Sequence, residues 1–250
     1  MREEVIAKIL EEKIIAIVRG VGAEECMKVA QALYEGGIRL MEITFDQKNP
    51  ASFQATAGAI RAIGEAYAGK MMVGAGTVTT PELVELAASA GAQYIISPDV
   101  NVDVIHRTRE LGLVSLPGAM TPTEVMTAHL AGADFVKLFP AGNLGISYVK
   151  AIRAPISHVK LLAVGGVNED NVADFLHAGM VGAGVGGNLA NKKWIEAGEY
   201  DKITQTARKL LDAVKNALIR KDWNHETNHY LWRDYDAPES GGLSPFCSGR

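Results

Sequence analysis

Cysteine is nearly missing from this chain: Cys26 and Cys247 are the 2 in 250 residues, too few for a disulfide framework and in keeping with a reducing compartment. A basic stripe is missing as well. The 25 lysines and arginines are scattered among 29 acidic residues, giving a formal net charge of −4, so no nucleic-acid partner is expected. Long apolar runs are absent too. No stretch approaches the roughly 18 residues of a membrane span, and Met1-Arg2-Glu3-Glu4-Val5-Ile6 carries acids where a signal peptide is apolar. A cytoplasmic protein without a membrane partner is the expectation. What is present points to a full globular core: 48% of residues are hydrophobic and 26 are glycine. A domain of this length buries roughly three quarters of the surface its unfolded chain exposes, which excludes disorder, a collagen repeat and a small disulfide scaffold.

The glycines have a rhythm. Gly36, Gly91, Gly112, Gly132 and Gly179 each follow an amphipathic stretch and precede a short apolar run, the place of a left-handed glycine cap between helix and strand. Eight such runs are expected as strands, at Ile14–Val18, Ile38–Ile43, Met71–Gly74, Tyr94–Ser97, Leu113–Leu116, Phe135–Leu138, Val159–Val164 and Val181–Val185. Thr80 before Pro81 and Thr121 before Pro122 are helix starts, and Asn168-Glu169-Asp170 reads as a third. Strands and helices alternating at short, regular spacing predict an α/β fold of the closed (β/α)8 TIM-barrel kind over residues 1–221. A last helix is expected over 201–220. Residues 222–250 lose periodicity and read as an appended tail, partly irregular or disordered.

Strand parity turns this architecture into chemistry, because alternate residues of a barrel strand face the lumen and active sites collect at strand ends. Glu42 shares its face with Leu40 and Thr44. Lys137 shares its face with Phe135 and Phe139. Ionisable residues are seldom buried without a reason. A structural ion pair is one explanation; a catalytic pair is the other. An apolar surround disfavours the ammonium form and yields a neutral amine that attacks carbonyls, while a nearby carboxylate moves protons. Lys137 with Glu42 is therefore the minimal kit of a Schiff-base aldolase. Late in the chain, Gly165-Gly166 and Gly186-Gly187-Asn188 follow the seventh and eighth expected strands, where barrels commonly hold phosphate on backbone N–H groups.

The segments Gly36–Thr44, Gly74-Ala75-Gly76-Thr77-Val78, Ile96-Ser97-Pro98, Pro117-Gly118, Lys137–Ala141 and Val164-Gly165-Gly166-Val167 resemble those of the 2-keto-3-deoxy-6-phosphogluconate (KDPG) and 4-hydroxy-2-oxoglutarate (KHG) aldolases, in order over roughly residues 5–218. The resemblance implies a trimeric class I lyase of the kind used in the Entner–Doudoroff route, with Lys137 as Schiff-base lysine and Glu42 as proton shuttle. It places Arg19, Thr77, Pro98 and Phe139 around a 2-oxo acid, and Gly165, Gly166, Gly187 and Asn188 around a phosphate, with no metal and no cofactor. The expected reaction is cleavage of 2-dehydro-3-deoxy-6-phosphogluconate to pyruvate and glyceraldehyde 3-phosphate, with 4-hydroxy-2-oxoglutarate as a further substrate. The alternatives are the galactonate epimer of the phosphorylated acid, or a catalytically idle oligomeric barrel. Three positions depart from the family's common pattern. Asp46 stands where some members carry arginine, Val164 replaces a threonine, and Asn188 replaces a phosphate-binding serine.

Two motifs compete and are set aside. His225-Glu226-Thr227-Asn228-His229 matches H-E-x-x-H, but it lies in the tail without an evident third ligand. Gly182-x-Gly184-x-x-Gly187 matches a dinucleotide fingerprint, but it sits at the last strand rather than the first. His106, His129, His158 and His177 stand singly, where surface or helix-end roles suffice.

Overall fold

The computed structural model describes residues 2–231. In chain order its elements are α1 (Arg2–Glu12), β1 (Ile14–Val18), α2 (Ala23–Glu35), β2 (Leu40–Thr44), a 3-10 turn (Pro50–Ser52), α3 (Phe53–Ala66), β3 (Met72–Gly76), α4 (Pro81–Ser89), β4 (Tyr94–Ile96), α5 (Val102–Glu110), β5 (Val114–Leu116), β6 (Gly118–Ala119), α6 (Pro122–Leu130), β7 (Val136–Leu138), α7 (Ala141–Arg153), β8 (Leu161–Val164), α8 (Val172–His177), β9 (Gly182–Val185), α9 (Lys192–Glu196) and α10 (Tyr200–Leu231). The caps act as their residue types require. Thr80 Oγ1 accepts from the Leu83 N–H ahead of Pro81, and Thr121 and Glu124 form a reciprocal capping box.

All strand pairs are parallel, in the order β5-β4-β3-β2-β1-β9-β8-β7-β6. The two ends of that order, β5 and β6, are separated in sequence by Pro117 alone. The fifth expected strand is β5, and β6 beyond Pro117 is an additional short strand, giving nine where the sequence suggested eight. Proline has no N–H to contribute to a ladder, so pairing changes partner there. Below it β5 pairs with β4; above it β6 pairs with β7. Backbone N–H groups of Phe135, Lys137 and Phe139 donate to the carbonyls of Ser115 (3.2 Å), Pro117 (2.9 Å) and Ala119 (3.0 Å), which closes the TIM barrel.

Inside, Ile15, Leu40, Tyr94, Ile96, Val114, Leu116, Phe135 and Leu162 form one buried cluster with Val5 and Ile9 of α1. Helix α1 therefore plugs the end of the barrel where the strands begin. Each such side chain contributes about 1.5–3 kcal/mol on burial. The plug is also tethered electrostatically. Arg2 and Arg109 both donate to the buried Asp134 carboxylate, whose Oδ2 accepts the Ser115 N–H at 3.0 Å.

Some local expectations are corrected. The left-handed residue ending α2 is Gly37 (φ +96°), because Gly36 stays helical at φ −77°. Asn168 makes a side-chain turn, its Oδ1 accepting from Asp170 and Asn171 N–H at 2.9 and 3.2 Å, and α8 begins only at Val172. Helix α10 runs past the expected limit of 220 to Leu231, although the main compact unit ends at Ala217. The tail from 232 onward and the side chains of His225, Glu226 and His229 lie outside the described residues.

Candidate active site

Because every strand runs the same way, all strand C-termini open on the face opposite α1. Glu42 projects from the middle of β2 and is 1% exposed; Lys137 projects from β7 and is 7% exposed. Burial pushes the Glu42 carboxyl up to about 7, against the pull of the positive charges of Lys137 and Arg19. The same desolvation lowers the Lys137 ammonium, opposed by Glu42 and assisted by Arg19. The two groups are thus coupled, yet among the described residues no ion pair within 4.0 Å joins them. Glu42 Oε2 has no hydrogen-bond partner among the described residues, so one oxygen of the carboxylate is free to meet a ligand. The Lys137 Nζ lies 4.9 Å from the centroid of the Phe139 ring, which is 41% exposed at the mouth.

Around this pair the residues named for the 2-oxo acid divide into two groups. Arg19 and Thr77 line a cleft of ≈ 410 Å³ together with Thr44, Asp46, Gln47 and Lys48. Thr77 has φ +56°, a strained conformation for a β-branched residue and a mark of functional sites. Gln47 braces it, donating from Nε2 to the Thr77 carbonyl at 2.8 Å while accepting from Thr79 Oγ1 at 3.2 Å. Asp46 accepts the Lys48 N–H at 3.0 Å, which places an acidic side chain at this edge of the cleft. Pro98 follows β4 at the same end, its carbonyl so close to Gly118 that a Cβ there would collide with it. Val164, at the tip of β8, faces the lumen next to Gly184.

The phosphate-site candidates sit on two neighbouring loops. Gly165 and Gly166 have φ of +88° and +77°, two successive positions in the left-handed region that glycine adopts without strain. Their loop presses on the Phe139 ring and on Gly142, whose N–H donates to the Gly165 carbonyl at 2.7 Å. Asn188 donates from Nδ2 to the Val167 carbonyl at 3.0 Å, so the amide links the β8–α8 loop to the β9–α9 loop and keeps a second N–H to donate. Gly187 faces open space, with nothing within 4 Å of where a Cβ would lie.

Gln47 and Tyr94 escaped the sequence reading. Tyr94 donates from its hydroxyl to the Met41 carbonyl at 2.7 Å, across β3, and so pins the stretch of β2 that carries Glu42. Its signal was a tyrosine at the start of an otherwise aliphatic strand. A larger cleft, of ≈ 910 Å³, lies at the α1 end among Glu4, Lys8, Arg39, Arg61 and Lys70. It contains none of the candidate site residues. The buried amine and carboxylate make the opposite mouth the candidate site.

The chain is also similar to known proteins. The family model described as "Aldolase: KDPG and KHG aldolase" matches residues 5–206. The 2-dehydro-3-deoxy-6-phosphogalactonate aldolase of Escherichia coli (strain K12) is 35% identical over 207 residues, 82% of this chain and 96% of the relative. A probable 2-dehydro-3-deoxy-6-phosphogalactonate aldolase of Rhizobium meliloti (strain 1021) is 38% identical over 206 residues, 82% of this chain and 94% of the relative. Among solved structures, a KDPG aldolase from Legionella pneumophila with pyruvate captured as a covalent carbinolamine superposes with a TM-score of 0.74, at 25% identity over 82% of this chain and 97% of that one. The chain belongs to the KDPG and KHG aldolase family and is a class I aldolase.

Proposed function

We propose that the enzyme cleaves a phosphorylated 2-keto-3-deoxy hexonate into pyruvate and glyceraldehyde 3-phosphate, with Lys137 and Glu42 as its catalytic pair. The observation that carries this reading is their shared burial at the open mouth, which brings a depressed amine and an elevated carboxyl together. Neutral Lys137 attacks the C2 carbonyl; the carbinolamine loses water and becomes a protonated imine. The Glu42 carboxylate then takes the proton of the C4 hydroxyl, and the electrons of the C3–C4 bond flow into the imine as the aldehyde leaves. The resulting enamine takes the same proton back from Glu42 at C3, and water hydrolyses the pyruvyl imine to regenerate the amine. A carboxyl titrating at about 7 suits a group that must both accept and return one proton. Arg19, Thr77, Pro98 and Phe139 hold the 2-oxo acid end. The Gly165-Gly166 and Gly187-Asn188 loops hold the phosphate.

For the substrate's configuration we favour the galactonate epimer. Two of the relatives compared carry that activity in their names, and Asp46 supplies no cation where part of the family has arginine. The gluconate epimer and 4-hydroxy-2-oxoglutarate are the other readings, and a trimer in the cytoplasm is the expected working form. Borohydride trapping with pyruvate tests the chemistry: the adduct mass is expected on the peptide containing Lys137 and absent from Lys137→Ala. Equal labelling of Lys137→Ala would sink the assignment. A side-by-side turnover assay on both epimers and on 4-hydroxy-2-oxoglutarate decides the substrate. Faster turnover of the gluconate epimer would reverse the preference.

A further inference from the structure

The carboxylate of Glu42 occupies space that the neighbouring strand leaves empty. On β3, Met72, Gly74 and Gly76 alternate toward the lumen, with Met72 packed against the lumen cluster. Their register sets Gly74 beside Glu42 and Gly76 beside Thr44. Neighbours fill both missing side chains. The Tyr94 ring lies over Gly74 so closely that a Cβ there would collide with it, which makes the ring a floor beneath the site. One pleat further up, a Cβ on Gly76 would stand 2.7 Å from Glu42 Oε1, 2.8 Å from its Cδ and 2.9 Å from Thr44 Cγ2. Ordinary packing does not allow such approaches, so the carboxylate lies in the volume of the absent side chain. The backbone is not what demands glycine here. Gly76 is a regular strand residue outside the left-handed region, and its carbonyl accepts the Phe45 N–H at 2.9 Å as the ladder requires.

We propose that Gly76 is a positioning residue for proton transfer, its bare Cα fixing where the Glu42 carboxylate stands relative to Lys137. This rests on the reading of Glu42 as the proton carrier. A methyl group at position 76 would lift the carboxylate away from β3 while leaving Lys137, Phe139 and the glycine loops untouched. Imine formation and substrate affinity should then survive, and the bond-breaking step should suffer. A misplacement of about 1 Å costs on the order of 10²-fold in rate.

The test is a double-mutant cycle of Gly76→Ala with Glu42→Asp, with Glu42→Gln as reference, on the faster of the two phosphorylated epimers. Gly76→Ala is expected to trap pyruvate with borohydride as the wild type does, to keep its KM, to lose about 10²-fold in kcat and to move the acid limb of the kcat–pH profile. Glu42→Asp draws the carboxylate back by one methylene and makes room for the new methyl. In that background Gly76→Ala should cost a small fraction of its effect in the wild type, as expected for residues in contact. An equal loss in both backgrounds, or wild-type kcat and pH profile for Gly76→Ala, overturns the proposal. If Gly76→Ala alone fails to fold, the double variant decides: folding with the activity of Glu42→Asp supports the proposal, and failure to fold overturns it. Wild-type turnover by Glu42→Gln would instead overturn the underlying role of Glu42.

Discussion

Glu42 is the residue on which stability and activity pull in opposite directions. Its folded carboxyl titrates at about 7, above the 4.5 of an unperturbed glutamate, and the leading cause is burial. A raised carboxyl binds a proton in the folded state that the unfolded chain releases earlier. Below pH 4.5 both states are protonated and nothing is at stake. From there up to about 7 the folded state steadily loses ground, and above 7 the whole cost of holding a buried charge, about 3 kcal/mol, is present. Glu42→Gln should therefore match the wild type in denaturant midpoint at pH 4 and exceed it at pH 8, while turnover falls by about 10²–10⁴-fold. Equal midpoints at pH 8 would show that the carboxylate is well solvated. Lys137 carries the complementary tension, since the burial that lowers its ammonium is what makes the amine nucleophilic.

Among the elements, the loops after β8 and β9 are the least forced by folding alone, and they differ in a way that makes one a clean probe. Gly166 is left-handed and lies within 3.2 Å of Gly142 through its absent Cβ, so substitution there disturbs the backbone whatever the ligand. Gly187 has neither constraint. Gly187→Val should leave the melting temperature unchanged, raise KM for the phosphorylated acid and spare 4-hydroxy-2-oxoglutarate, which has no phosphate. An unchanged KM, or equal damage to both substrates, would remove this loop from the phosphate site. The same contrast explains what was legible beforehand. Strands announced themselves as apolar runs, and lumen-facing Glu42 and Lys137 followed from parity, a local property. Pro117 showed as a residue, but its effect, handing the ladder from β4 to β7, depends on a partner 20 residues on, Lys137. In helix α1, Val5, Ile6, Ile9 and Leu10 mark one face, but the acids around them dilute that signal in the sequence. The Asn188 bond to Val167 could not be read from the sequence, because its partner lies on another loop. The empty seat at Gly76 was beyond reach for a related reason, since a glycine in a motif does not say which neighbour uses its space.

For the whole molecule, the family match ends at 206 and the main compact unit at Ala217, so the chemistry is expected to be complete without the tail. A chain ended after Lys221 should keep kcat and KM close to those of the full chain; a large loss would assign the remaining residues a part in the site. The plug formed by α1 reaches further than stability. With Val5 and Ile9 sealing one end, the described residues leave the strand C-terminal mouth as the doorway, and the imine proposed at Lys137 would form inside it. Traffic is then last in, first out. The aldehyde half, nearer the doorway, has to depart before the pyruvyl half, which stays covalently anchored until hydrolysis. Pyruvate should in consequence behave as a competitive product inhibitor of cleavage and glyceraldehyde 3-phosphate as a noncompetitive one. The reverse pattern would mean a second exit, and in the synthetic direction the same geometry compels pyruvate to load first.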